Sequence, residues 1–192
     1  MSVQNTVNSN SLFGTANIYL VPKFDLAQLD TEITSKLIEA NLLIITDDGT
    51  NFDEEKTMHS TPLAGFNEKR VKGFENITKA EGKISATGRL VNKKLLEASL
   101  YVKESNSSEK YDVYRVKEGL IEDSAYSDVV MVGMNKSNEK AQIVVLHNAY
   151  NTNLSIETKG SDDGSCKVEF VSAYDYANLN KTPYEIITLK EV

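Results

Sequence analysis

Gly82-Lys83-Ile84-Ser85-Ala86-Thr87-Gly88-Arg89-Leu90 puts a small or apolar residue at every even position and a polar one at every odd position. Strict alternation over nine residues predicts a β-strand with one face on a core and one face polar. A second stretch repeats the pattern. Cys166, Val168 and Phe170 alternate with Lys167 and Glu169. The polar sets Lys83, Ser85, Thr87, Arg89 and Lys167, Glu169 therefore read as the solvent side of a sheet.

Outward from these strands, the C-terminal half continues as β-structure. Residues 111–116 alternate, and residues 127–134 and 142–148 are dense in valine. Ser137-Asn138-Glu139 reads as the turn of one hairpin and Ser161-Asp162-Asp163-Gly164 as that of another. Residues 183–189 form a last strand. Toward the N-terminus, residues 16–22 read as a strand closed by Pro22. Leu26, Leu29, Ile33 and Leu37 then recur at helical spacing behind Asp25 as N-cap, with Gln28 placed for a capping box. This predicts an amphipathic helix over about residues 26–40. Residues 42–46 read as a strand that ends at the turn signal Asp47-Asp48-Gly49. Asn92 is placed to cap a short helix carrying Leu95, Leu96 and Leu100. Residues 50–80 are the least regular part, a long excursion with Asp53-Glu54-Glu55 near its start and Lys69-Arg70 near its end. Residues 1–13 are polar and without period, a flexible arm ahead of a single domain over 14–192. The expected architecture is mainly β, a barrel or sandwich with a flanking helix and a long loop over about residues 47–80.

Composition narrows the function classes. The 192 residues carry 28 acidic and 21 basic side chains, a net charge of −7, which disfavours gripping nucleic acid through phosphates. One cysteine, Cys166, excludes an internal disulfide and a cysteine-built zinc site. The first residues have neither the basic start nor the apolar run of a signal peptide, and no apolar run is long enough for a transmembrane helix. The Asp-Gly turns fail the calcium-loop pattern, because Ile44 and Lys159 would fall at the first ligand position. His59 lies in the irregular excursion and His147 in an apolar strand, where a satisfied ring is the expected state. Neither has a metal-ligand spacing, and no nucleophile motif surrounds Cys166. The tyrosines Tyr101, Tyr111, Tyr114 and Tyr126 fit half-buried strands rather than a stacking platform. No catalytic, cofactor or metal site is expected.

From Thr46-Asp47-Asp48-Gly49-Thr50-Asn51-Phe52 onward, the order of elements resembles the major tail protein, or tail tube protein, of long-tailed bacteriophages. The likeness continues through Val71-Lys72-Gly73-Phe74, the alternating strand at 82–88 and Lys94-Leu95-Leu96-Glu97-Ala98-Ser99-Leu100. It extends to the paired strands at 128–133 and 143–149 and the closing ones at 154–156, 168–175 and 183–186. The resemblance covers about residues 16–189 in order and spacing, without an invariant ligand or catalytic residue. It implies a β-barrel subunit that closes six to a ring, with rings stacked into a hollow tube for genome delivery. It also implies a virion-tail protein assembled in the host cytoplasm, with no membrane. The implied partners are further copies, the tape measure, tail terminator and distal tail proteins, and DNA that passes without specific binding. On this reading Asp53, Glu54, Glu55, Lys69 and Arg70 belong to contacts between subunits or rings, and Lys83, Ser85, Thr87, Arg89, Lys167 and Glu169 are the candidates to line the lumen. The inner tube of a contractile tail or injection system stays open as an alternative, as does a β-sandwich decoration or adhesion protein.

Overall fold

The computed structural model describes residues 16–61, 71–89, 92–105, 108, 110–116, 118–135, 140–158 and 164–188. Among these residues nine strands form in chain order: β1 (Asn17–Val21), β2 (Leu42–Ser60), β3 (Glu75–Gly88), β4 (Tyr101–Lys103), β5 (Tyr114–Val116), β6 (Ser127–Asn135), β7 (Lys140–Glu157), β8 (Ser165–Val171) and β9 (Tyr184–Thr188). Two α-helices, α1 (Leu29–Lys36) and α2 (Lys93–Ala98), join them. The chain is mainly β, as the alternating stretches predict.

Six strands pair antiparallel in a closed circuit: β1 with β2, β2 with β3, β3 with β8, β8 with β7, β7 with β6, and β6 with β1. Closure leaves these strands without an open edge through the barrel wall. Two strands are long enough to serve both sides of it. The first half of β7 pairs with β6 and with β9, and its second half pairs with β8. β2 begins against β1 and continues against β3. A separate two-stranded sheet, β4 with β5, lies outside the circuit.

Two apolar clusters fill this frame. Ile18, Ile44, Ile84, Val129, Leu146, Val168 and Phe170 pack together in the barrel, and α2 adds Leu95 and Ala98 to them. The second cluster joins Val130, Val132, Ile143 and Val145, on the other face of β6 and β7, to Phe24, Leu37 and the α1 side chains Leu29 and Ile33. The wall built by β6 and β7 is thus buried on both faces, which is why its sequence is a run of valines rather than an alternation. Among the described residues no element covers the outer face of the wall built by β3 and β8, and its sequence alternates.

Several expectations are corrected. The helix over 26–40 is shorter. A 3-10 turn at Leu26–Gln28 precedes α1, and the chain leaves helical geometry at Leu37. The Thr34 and Ser35 hydroxyls donate to the carbonyls of Asp30 and Thr31, a competition that weakens helices. Asp25 does cap, accepting from the Ala27 N–H, but its own N–H goes to Glu32 rather than Gln28. Asp47-Asp48-Gly49 does not end a strand. β2 runs through it, with a register shift between Thr46 opposite Gly88 and Thr50 opposite Ala86. The buried Thr46 hydroxyl pins this point, accepting from the Ala16 N–H at 2.9 Å and donating to the Ala16 carbonyl at 2.8 Å. The excursion at 50–80 is not irregular where it is described: residues 50–60 and 75–86 are paired strands. Residues 142–148 and 154–156 are parts of one strand, and only Tyr114–Val116 of the stretch 111–116 is β. Asn92 caps α2 as expected, accepting from the Leu95 N–H at 2.8 Å. The turn at 137–139, residues 161–163 of the turn at 161–164, and the arm at 1–13 fall outside the described residues.

Candidate functional site

Two surfaces stand out, and both belong to the β2–β3 pair. The first is the outer face of the β2–β3–β8–β7 wall. The register places Asn51 opposite Ser85, Ser85 opposite Glu169, and Glu169 opposite Asn153. One step along, Thr87 faces Lys167, and Lys167 faces Ser155. Side chains two apart on a strand share a face, so Asp53, Lys83, Ser85, Thr87, Lys167, Glu169 and Glu157 form one polar surface. Lys83 pairs with Glu169 at 2.8 Å and Lys167 with Glu157 at 2.6 Å. A shallow groove of about 440 Å³ runs across it between Thr50, Asn51, Ser85, Thr87, Asn153 and Glu169. Five of the six candidate lining residues therefore meet on one face, and Arg89 follows, exposed, at the end of β3. The face continues onto Glu55, Glu81 and Lys79. Counting Arg89 at its end, the described part of the face has five carboxylates, Asp53, Glu55, Glu81, Glu157 and Glu169, and four cations.

The second surface is a two-stranded ribbon. From Glu54 opposite Gly82 to Ser60 opposite Glu75, β2 and β3 pair with each other but with no third strand among the described residues. Residues 53–60 are exposed throughout. Met58 lies opposite Ile77, and the two are 51% and 55% exposed; Phe74 beyond them is 41% exposed. The ribbon is held firmly at its base. The Ser172 hydroxyl donates to the Gly82 carbonyl and accepts from the Gly82 N–H. The Tyr174 hydroxyl does the same to Ala80, both at 2.7 Å. Tyr184 of β9 donates to Glu54 at 2.6 Å, and burial first, then that carboxylate, pushes the Tyr184 phenol up to about 12.

Of the residues expected at contacts between copies, Glu54 and Glu55 lie in this ribbon and Asp53 lies on the polar face at its base. Asp53 stands opposite Lys83, Glu54 is bound to Tyr184 and Lys56, and Glu55 stands opposite Glu81. Lys69 and Arg70 lie outside the described residues. His59 is exposed on the ribbon.

His147 has the satisfied ring its strand position predicts. Its Nδ1 lies 2.9 Å from Asp128 Oδ2, and its Nε2 contacts Glu185 Oε2. Both ring nitrogens are occupied by the protein itself, so neither is left to act as a base on a substrate. The three belong to β7, β6 and β9. Glu185 lies 38 residues from His147 in the chain, so no local motif announces the cluster. Cys166 is buried, and burial pushes its thiol up, away from the reactive thiolate. Among the described residues, no group of three or more His, Cys, Asp and Glu side chains is placed to hold a metal ion, and no helix is long and apolar enough to cross a membrane.

No family model and no curated protein matches the chain. Solved structures do resemble it weakly. One is the sheath–tube complex of an extracellular contractile injection system, PVC, in its extended state: 7% identity, 91% of this chain and 88% of that one, TM-score 0.42. Another is the tube-terminating cap of the anti-feeding prophage: 9% identity, 91% and 88% coverage, TM-score 0.44. A third is the virion of a native gene transfer agent particle: 9% identity, 72% and 88% coverage, TM-score 0.40. At these identities and scores the likeness assigns the chain to no family.

Proposed function

We propose that this chain is a self-assembling structural subunit, the building block of a tail tube, closing six to a ring with the rings stacked into a conduit. The observation that carries the reading is the ribbon. Residues 54–60 extend roughly 20 Å at the rise of a β-strand. A lone two-stranded ribbon is marginal in water. This one is anchored by three side chains at its base, yet it leaves Met58, Ile77 and Phe74 bare along its length. Apolar side chains on a firmly aimed projection fit a surface that another copy covers. Beyond Ala80 no third strand pairs with the ribbon among the described residues, an arrangement that suits the addition of strands from another copy.

The polar face supplies the second part of the reading. A wall of short hydroxyl and amide side chains, with near-balanced charge and one carboxylate in excess, suits the inside of a conduit for DNA. A strongly basic lumen would hold the phosphates, and this one would let them pass.

Negative-stain microscopy tests the proposal. The full chain is expected to form rings or tubes. Replacing residues 58–78 by Asn-Gly joins Thr57 to its partner Lys79 through a two-residue hairpin turn. The shortened protein is expected to fold, by circular dichroism and thermal unfolding, and to remain monomeric. Normal tubes from the shortened protein, or none from the full chain, would overturn the reading.

A further inference from the structure

The His147 ring carries a carboxylate on each nitrogen, Asp128 from β6 and Glu185 from β9. Asp128 also accepts from the Phe24 N–H at 2.8 Å and the Asn148 N–H at 3.1 Å. Glu185 uses its other oxygen for Lys181 at 3.1 Å. An ionised carboxylate only accepts hydrogen bonds, while a neutral imidazole has one N–H and an imidazolium two. Two carboxylates on one ring are therefore both satisfied only when the ring is charged. The side chains of His147, Asp128 and Glu185 are 16%, 6% and 23% exposed, so water is poorly placed to replace a lost partner.

We propose that His147 is a proton-dependent tie. Its imidazolium fastens β9 to the β6–β7 pair, and loss of one proton loosens β9 and, through it, the base of the ribbon. β9 depends on this tie because it is short and its only strand partner among the described residues is β7. The route to the ribbon is one residue long, since Tyr184, which holds Glu54, adjoins Glu185. The charged groups around the ring favour the proton. The cleft beside it, of about 520 Å³, adds Lys23 and Asp25 from the segment after β1, and Asp175 and Lys181 from the segment before β9. With Asp128 and Glu185, carboxylates outnumber ammonium groups two to one. Burial draws the ring's pKa down, but the hydrogen bond the ring donates to Asp128 and the two carboxylate charges outweigh it and leave the value above the ordinary 6.5. A pKa raised in the folded state gives stability that is complete below the unfolded value and is lost as pH rises through the folded one.

The inference does not rest on the assembly reading, and its test uses the unassembled full chain. NMR titration of the His147 ring nitrogens is expected to show both protonated at pH 6.5, with one titration at higher pH. Hydrogen-exchange protection factors of the β9 amides should fall across the same range, by about tenfold for each unit separating the folded and unfolded values. Those of residues 84–87 should hold level. Glu185→Gln offers the neutral ring a donor as well as an acceptor. It should bring the titration down and flatten the pH dependence of β9. A His147 value at or below the ordinary one, carboxyl shifts placing the proton on Glu185, or β9 protection level across the titration would each overturn the proposal.

Discussion

The same two strands behave as different materials at their two ends. Where β2 and β3 are part of the barrel, Ile44 and Ile84 are fully buried, and the alternate side chains face a packed interior. From Glu54 opposite Gly82 outward, the pairing continues without a break in direction, but Met58 and Ile77 are exposed. Backbone pairing is common to both ends, so it does not set the difference. Contact with a third strand and a core does. The barrel end is stabilised by a third strand and a core, and the ribbon end has no third strand beside it among the described residues.

Substitutions along this one pair of strands sharpen the contrast. Ile84→Ala, at the barrel end, removes a fully buried side chain beside Phe170 and Leu146, and should cost about 2–5 kcal/mol by denaturant unfolding. Gly88→Ala comes next. An added Cβ would meet Ile44 Cγ2 and lie 2.7 Å from the Ile45 carbonyl oxygen, and backbone cannot move aside as a side-chain tip can. A loss of about 1–3 kcal/mol is expected, read as a lowered unfolding midpoint. At the junction, Tyr174→Phe removes both hydrogen bonds to Ala80 and should cost about 1 kcal/mol. Faster exchange of the Ala80 amide should report it. Ile77→Ala, at the ribbon end, should change monomer stability by less than about 0.5 kcal/mol while weakening tube formation in sedimentation. If Ile77→Ala destabilised the monomer as much as Ile84→Ala does, the division between the two ends would be wrong.

The sequence is legible where one face is buried and the other is not. Lys83-Ile84-Ser85-Ala86-Thr87 and Cys166-Lys167-Val168-Glu169-Phe170 obey a period of two because each strand has one dry and one wet side. Their polar faces come together as the alternation implies. The ribbon escapes such reading because both of its faces are wet, so Asp53-Glu54-Glu55-Lys56-Thr57 shows no alternation to detect. The Asp47-Asp48-Gly49 signal is a true irregularity of the wrong kind, a register shift rather than a reversal. In β7, Asn148, Asn151 and Asn153 look like a break. Asn148 does bend the strand with φ +49, yet the Asn151 side chain bridges Ser99 and the Glu169 N–H, so that the strand carries on. The His147 cluster depends on three strands that only the folded chain brings together, and no spacing encodes it.

The length of β7 has a mechanical consequence. One strand of 18 residues is stitched to β6 and β9 along its first half and to β8 along its second. Antiparallel hydrogen bonds lie perpendicular to the strand. A pull along β7 therefore strains many of them at once, in shear, instead of peeling them one by one. The two sides of the barrel share that strand, so neither slides past the other along its direction without breaking bonds on both.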